Sequence, residues 1–331
     1  MKKIVITGTA GFIGFHLAKR LLAEGREIVG IDNFNTYYPK EIKESRNEIL
    51  RRNPDFTSCV VDISRTDELE EVFKNHDIDL IINLAAQAGV RYARINPMAY
   101  VQSNQVGFLN ILEMARHYGV KRVLYASSSS VYAGVKDAPF REDQYVDRPI
   151  SLYGATKKSN ELVAHCYSHL YGIQTIGLRF FTVYGPWGRP DMAMWIFTEK
   201  MLAGKAIPVF NYGKMSRDFT YIDDIVDGVA RLSSAEGMEP YEIMNIGNNR
   251  SEKLMDLIDL IAKSLGVEVQ CDMLPMMTDD VPATYASIDR INKVCGFEPK
   301  TTIFEGIPRF LQWYKEHPEL AELVRSWRES F

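Results

Sequence analysis

Apolar residues in the first half of the chain fall into short unbroken runs. Between the runs they recur at three- and four-residue spacing. Residues 3–7 (KIVIT) are a β-branched run that stops at the glycine-punctuated segment Gly8-Thr9-Ala10-Gly11-Phe12-Ile13-Gly14. HLAKRLLAEG follows, with Leu17, Leu21 and Leu22 at helical spacing and Gly25 as a stop. This reads as strand, tight turn, helix. The run 27–31 (EIVGI) is the next strand, with Asp32 at its carboxyl end, and further strands are expected at TSCVVDI, DLIINLA, RVLYASSS, TIGLRF and EIMNIG. Helical stretches separate most of them: DELEEVF, QSNQVGFLNILEMARHY and ATKKSNELVAHCYSHLY. Such alternation predicts an α/β fold, a parallel sheet covered on both faces, and right-handed crossovers make a doubly wound sheet the simplest topology.

The pattern loosens after about residue 180. Segment 185–221 is rich in Gly, Pro and aromatics, while 252–265 (EKLMDLIDLIAKSL) and GIPRFLQWYKEH read as amphipathic helices. The expected organisation is a dinucleotide-type domain over 1–180, to which the chain returns around 222–247. A smaller carboxyl-terminal lobe takes 181–221 and 248–331.

The 331 residues carry 39 basic and 43 acidic side chains, a formal charge of −4, and 46% are hydrophobic. That composition belongs to a globular chain and argues against a nucleic acid partner held by overall charge. No run reaches the length of a membrane span, and the glycines in the amino-terminal apolar stretch argue against a signal peptide, so a cytoplasmic location without membrane attachment is expected. Cys59, Cys166, Cys271 and Cys295 lie far apart and read as reduced thiols. His165 and His169 share helical spacing but have no nearby third ligand, so no metal is expected.

Three clusters carry chemistry. Gly8, Gly11 and Gly14 let the backbone turn and approach a pyrophosphate, which then rests on the following helix amino terminus. Asp32, eighteen residues past the last glycine, suits the adenosine ribose hydroxyls and favours NAD over NADP, although a plain turn also explains the glycines. Tyr153 and Lys157 are four apart on a helix, so an ammonium beside the phenol is expected to lower the tyrosine pKa and ready it for proton exchange with a sugar hydroxyl; an ordinary exposed pair is the alternative. Ser127 to Ser130 follow a strand, where hydroxyls face the ligand crevice.

Together with Asp62-Ile63, Asn83-Leu84-Ala85-Ala86, Asn104 and Arg217-Asp218-Phe219-Thr220-Tyr221, these features resemble the extended short-chain dehydrogenase/reductase family over nearly the whole chain. The resemblance implies a Rossmann fold with bound NAD and nucleotide-sugar chemistry. It implies cofactor contacts from the glycine turn with Phe12 and Ile13, from Asp32 and Asn33, from Asp62 and Ile63 beside the adenine, and from Leu84, Ala85, Ala86, Asn104, Tyr153 and Lys157. It also puts Arg217 against the nucleotide diphosphate.

NLAAQAGVRYA (83–93), SLYGATKKSNELVAHCYSHLYG (151–172), LRFFTVYGPWGRPDMA (178–193) and DDVPATYASI (279–288) are similar to the UDP-glucuronate 4-epimerase branch. Galactose-type epimerases usually have asparagine where this chain has Thr182. Family members often show Ala at Gly154, Gly at Ala133 and Pro-Gly at Thr278-Asp279, the last near the expected uridine edge. A substrate with a diphosphate and a carboxylate requires local cations in an acidic protein, and Arg91, Arg189 and Arg217 fall in the matching segments. Thr182 and Ser129 are expected to add neutral donors to the sugar carboxylate.

The implied reaction is redox-neutral epimerisation at C4, with Tyr153, Lys157 and Ser128 as the catalytic group. Its rivals are a UDP-glucuronate decarboxylase, a dehydratase or another UDP-sugar 4-epimerase, and, from another class, a non-catalytic NAD-binding sensor. The resemblance also suggests a homodimer formed by the helices near 100–118 and 153–171, which carry Phe108, Leu109, Leu112, Leu162 and Val163.

Overall fold

The structure, a computed structural model, describes residues 3–135, 137–278 and 280–329. The first part alternates strictly: β1 (Lys3–Thr7), α1 (Phe12–Ala23), β2 (Ile28–Asp32), α2 (Lys40–Arg51), β3 (Phe56–Val60), α3 (Thr66–Lys74) and β4 (Ile78–Asn83). After α4 (Pro97–Tyr100) the chain widens into a π-helical segment, Val101–Val106, and tightens again into α5 (Gly107–His117). Then come β5 (Arg122–Ser128), α6 (Leu152–Tyr171) and β6 (Gln174–Phe180). The remainder holds short strands β7 (Thr182–Tyr184), β8 (Ile207–Val209), β9 (Ser216–Arg217) and β10 (Phe219–Tyr221), with α7 (Ala193–Leu202) among them. It continues through α8 (Ile222–Ser234), β11 (Tyr241–Ile246), β12 (Glu252–Lys253), α9 (Leu254–Leu265), β13 (Cys271–Met273), α10 (Asp289–Cys295), α11 (Ile303–Glu316) and α12 (Pro318–Glu329).

Seven parallel strands form the central sheet in the order β11-β6-β5-β4-β1-β2-β3. Alternate residues of β1 explain why both faces are covered: Ile4 and Ile6 enter one apolar layer, Val5 the other, and all three are 0% exposed. The layer containing Ile4 continues without a break into the carboxyl-terminal helices, through residues such as Trp195, Ile258 and Phe310. The order reverses at β1, with β2 and β3 on one side and β4, β5, β6 and β11 on the other. A crevice opens outside the strand carboxyl ends at that point, where doubly wound folds bind their ligands.

Two elements differ from the sequence expectation. The continuous periodicity from residue 102 predicts one α-helix, yet 101–106 is π-helical, because the buried Asn104 side chain is bonded across to Gln87 and Thr156. Helix α2 has no counterpart in the apolar pattern, because its inward face carries Lys43 and Arg46 beside Ile42 and Leu50.

Candidate active site

The glycine turn is built by close approach. Gly8 has φ +78°, and a Cβ there would sit 2.9 Å from Ala85 N. A Cβ on Gly14 would lie 2.1 Å from the Gly8 carbonyl oxygen, so α1 can start where it does only without a side chain at 14. Gly11 is the N-cap of α1 and brings no capping side chain, so the first-turn amides are left for an anion in the crevice. At the other end of this wall, Asp32 accepts from Ala10 N at 3.1 Å and Phe34 N at 2.9 Å, and both oxygens are held facing the crevice rim. Asn33 Nδ2 donates to Asp62 Oδ2 at 2.8 Å. Burial alone would raise the Asp62 carboxyl, but bonds from Asn33 and from Ser64 hold it below the usual range.

These groups line a cleft of about 250 Å³. Of the residues singled out from sequence, Gly8, Gly11, Phe12, Ile13, Gly14, Asp32, Asn33, Asp62, Ile63, Leu84, Ala85, Ala86, Ser128, Tyr153, Lys157 and Arg189 meet in it. A cradle that any Cβ would fill, a bare helix start and a carboxylate at the far end match a dinucleotide's pyrophosphate and adenosine ribose. Asn104 does not reach the cleft. Its amide group is consumed by Gln87 N at 2.9 Å, Gln87 O at 3.0 Å and Thr156 Oγ1 at 3.0 Å, which fastens the loop after β4 to the start of α6.

Sequence reading missed Lys43, Asn35 and Tyr37, which also line the cleft. Lys43 Nζ donates to the backbone and side-chain oxygens of Asn35, both at 2.8 Å, and lies near enough to Asp32 to feel its charge. The only sequence hint was a lysine at helical spacing in an otherwise polar helix.

At the carboxyl end of β5, the Ser128 hydroxyl is within hydrogen-bond reach of the Tyr153 phenol. Lys157 Nζ lies 6.0 Å from the Tyr153 ring centroid and donates to Ala126 O at 2.8 Å. The expected lowering of the phenol by this ammonium is corrected by the structure. Burial pushes Tyr153 up, while Ser128 and Arg189, rather than Lys157, pull the other way. Lys157 is itself pushed down from 10.5 to about 7, because it is buried without a counter-charge beside it.

Arg189 is already paired. Its Nε donates to Asp191 Oδ1 at 3.0 Å and its Nη2 to Oδ2 at 2.5 Å, and the Tyr37 hydroxyl adds a third bond to Oδ2 at 3.1 Å. The loop carrying this pair hangs from side chains of four other elements. His16 bonds Pro186 O at 2.9 Å, Arg46 bonds Trp187 O at 2.6 Å, Trp195 bonds Gly188 O at 3.0 Å, and Arg328 bonds Pro190 O.

Arg91, Ser129, Thr182 and Arg217 stand outside the cleft wall. Arg91 lies over the Phe210 ring at 4.8 Å and close enough to repel Arg217. Arg217 donates to Asp280 Oδ1 at 2.6 Å, and burial lowers its pKa. These two arginines thus form a second basic patch between β9 and the loop around 280. Ser129 opens the short helical turn after β5, and Thr182 starts β7, paired with Phe219 of β10. Asp279, in the segment expected at the uridine edge, lies outside the described residues. The serine run holds no carboxylate: Ser127 donates to Glu161 at 2.7 Å, and Glu161 is consumed by Arg179 at 2.8 and 2.9 Å.

Residues 4–247 match the model of the NAD dependent epimerase/dehydratase family. An uncharacterized protein of Methanocaldococcus jannaschii is 52% identical, over 96% of this chain and 98% of its own length. A probable UDP-glucuronate 4-epimerase of Rhizobium meliloti is 42% identical, over 95% and 97% respectively. A crystal structure of UDP-glucuronic acid 4-epimerase from Bacillus cereus, in complex with UDP-glucuronic acid and NAD, is similar with a TM-score of 0.89 at 33% identity, covering 95% of this chain and 99% of that one.

Proposed function

The chain belongs to the NAD-dependent epimerase/dehydratase family, and from that premise we propose that it interconverts UDP-glucuronate and UDP-galacturonate by inverting C4 of the sugar. The observation that carries this reading is the meeting of Ser128, Tyr153 and Arg189 in the same cleft as the glycine cradle and Asp32. Bound NAD supplies the acceptor for the C4 hydride and returns it. As phenolate, Tyr153 takes the proton from the sugar O4, becoming the phenol, and gives it back after the 4-keto sugar has turned about its diphosphate tether. Ser128 holds the reacting oxygen against the phenol. Lys157, in its ammonium form, steadies the phenolate before that proton arrives and again once it is returned, and would hydrogen-bond the nicotinamide ribose.

Gly8, Gly11, Phe12, Ile13 and Gly14 cradle the pyrophosphate, Asp32 and Asn33 the ribose, Asp62 and Ile63 the adenine, and Leu84, Ala85 and Ala86 the middle of the cofactor. Arg189, Thr182 and Ser129 face the uronate, and Arg91 with Arg217 the nucleotide diphosphate. The same reading divides the chain into a cofactor part, 1–180 with 222–247, and a sugar part, 181–221 with 248–331. Fixing the carboxylate near the ring plane keeps the β-keto acid intermediate from losing carbon dioxide. A decarboxylase or dehydratase of this kind would need a carboxyl group beside Ser128 to move the proton, and the serine run carries none.

Incubation of the purified protein with UDP-glucuronate and separation of the products tests the reading. The galacturonate epimer is expected. A pentose, a dehydrated sugar or unchanged substrate would each overturn it.

A homodimer through α5 and α6 belongs to the same proposal. Phe108 and Leu112 turned out to cover the sheet, but Leu109 (43% exposed) and Leu162 (58%) point away from it. Leu162→Glu should reduce the sedimentation mass to that of one chain; a wild-type mass already at one chain at micromolar concentration refutes the dimer. A cytoplasmic location is proposed as well; no helix among the described residues is long and apolar enough to cross a membrane.

A further inference from the structure

We infer that Asp191 is a positioning residue that weakens the grip of Arg189 on the substrate carboxylate enough for the 4-keto sugar to turn. This rests on the reading of Arg189 as the uronate's cation.

Inversion at C4 makes two demands on the same side chain. The carboxylate must be held so that carbon dioxide is not lost. It must also be released and retaken while the sugar presents its other face. A bare guanidinium in a buried cleft meets the first demand and fails the second, because it clamps a carboxylate with two parallel hydrogen bonds.

Here one of the guanidinium's two-point faces, Nε with Nη2, is already filled by a carboxylate. Asp191 takes Nε and Nη2 of Arg189, and the side chains are only 20% and 17% exposed. Nη1 has no hydrogen-bond partner among the described residues. A substrate carboxylate reaching the Nη1/Nη2 end therefore meets a cation whose charge Asp191 already balances, so its hold there is weaker than that of a bare guanidinium.

The surroundings hold Asp191 to this task. The Tyr37 hydroxyl fixes Oδ2 from the cofactor side of the cleft. Gly89, at φ +93°, brings its backbone against the pair: a Cβ there would lie 3.4 Å from Arg189 Nη2 and 3.9 Å from Asp191 Oδ2. Tyr100 donates to Gly89 O at 2.6 Å and sets its ring edge-on to Tyr153 at 6.1 Å. The carbonyl tethers on Pro186, Trp187, Gly188 and Pro190 keep the loop backbone from following the sugar. Adjustment is then confined to the Arg189 side chain and its counter-ion.

The test is the NAD-loaded enzyme with Asp191→Asn, and UDP-glucuronate as the probe. Relieved of its counter-charge, Arg189 should bind the uronate more tightly, with KM lower by about tenfold, the worth of strengthening one hydrogen bond from neutralised to fully charged. The sugar should stall as the ketone, so kcat falls and the near-ultraviolet absorbance of reduced nicotinamide rises during turnover. Asp191→Glu should restore both. Tyr37→Phe removes only the orienting bond and should shift KM the same way by about twofold to threefold, which keeps the test open if Asp191→Asn does not fold. An unchanged or raised KM without accumulation of reduced cofactor, in either variant, overturns the inference. Arg189→Ala separates the two levels: an unchanged KM there overturns the uronate reading of Arg189 itself, whatever the Asp191 variants do.

Discussion

Replacing Lys157 with methionine isolates what the buried ammonium costs the fold. The residue is 1% exposed, and burial pushes its amine down from 10.5 to about 7. At about 1.4 kcal/mol per pKa unit, a fall of that size corresponds to about 5 kcal/mol. The unfolded chain keeps the proton up to its ordinary value and the folded chain releases it near neutrality, so between those limits the unfolded state binds more protons and stability rises with pH. The cost is therefore fully present below about pH 7 and has vanished above about pH 10.5.

Methionine fills similar space without charge at any pH. It forfeits the bond to Ala126 O, a loss of about 1 kcal/mol. In cofactor-free protein near pH 6 the variant should exceed the parent in stability by about 4 kcal/mol, and near pH 10 the two should be equal or reversed in order. Urea unfolding followed by far-ultraviolet circular dichroism at three pH values measures this, with the product assay alongside to show that epimerisation is lost throughout. A gap that does not shrink with rising pH, or a variant weaker than the parent near pH 6, would refute the reasoning.

Gly14→Ala should leave the purified protein without NAD, seen as no nicotinamide released on heating, because its Cβ would stand 2.1 Å from Gly8 O; Gly25→Ala, with nothing within 4 Å, should retain the cofactor at a cost of about 1 kcal/mol for its φ of +76°. Asp218→Asn should lower stability by about 2–4 kcal/mol, since the carboxylate accepts from Asn248 N, Ala286 N and the Thr220 hydroxyl and an amide must turn a donor toward a donor. Burial raises Asp218 from 3.8 to about 6, so the folded chain holds that proton more tightly and stability falls as pH climbs through this window; urea midpoints should show the slope in the parent and its loss in the variant. Glu161→Gln strips Arg179 of its counter-charge in a buried site and should cost about 3–5 kcal/mol in the same measurement.

What was legible in the sequence is what short-range geometry dictates. Three glycines between a strand and a helix can be read as a turn, because Gly11 and Gly14 would clash with the nearby Gly8 carbonyl, whereas the clash of Gly8 itself with Ala85 N is tertiary and leaves no local trace. Tyr153 and Lys157 could be paired because helical spacing puts them on one face. The direction of the Tyr153 shift could not, because it depends on burial by distant segments. Asn104 is named on the family resemblance alone, and its bonds to Gln87 and Thr156 cannot be read from sequence because those partners are brought together by the fold. Helix α2 escaped because Arg46 and Lys43 point inward. Their partners, Ala10, Trp187 and Asn35, are brought together by tertiary structure and leave no periodic trace. The Arg189 pair splits on this line: Asp191 is two positions away, but Tyr37, which donates to Asp191, comes from a distant segment.

The pairing of the arginines bears on how a chain of charge −4 would hold the proposed substrate, with its diphosphate and carboxylate. Unpartnered cations crowded into one crevice would destabilise the empty fold, and Arg91 already lowers the proton affinity of its neighbour Arg217. Each cation is instead parked: Arg189 on Asp191, Arg217 on Asp280, Arg91 on the face of Phe210. The affinity of the site is then the difference between the ligand's anions and the chain's own. On the proposed reading of Arg189, a uronate competes for it and a neutral sugar does not, so discrimination at C5 would follow from the presence of Asp191 as much as from Arg189. Removing the acid would tighten binding of the ionic substrate and slow the turning of its ketone. Affinity would rise at the expense of the step on which inversion depends.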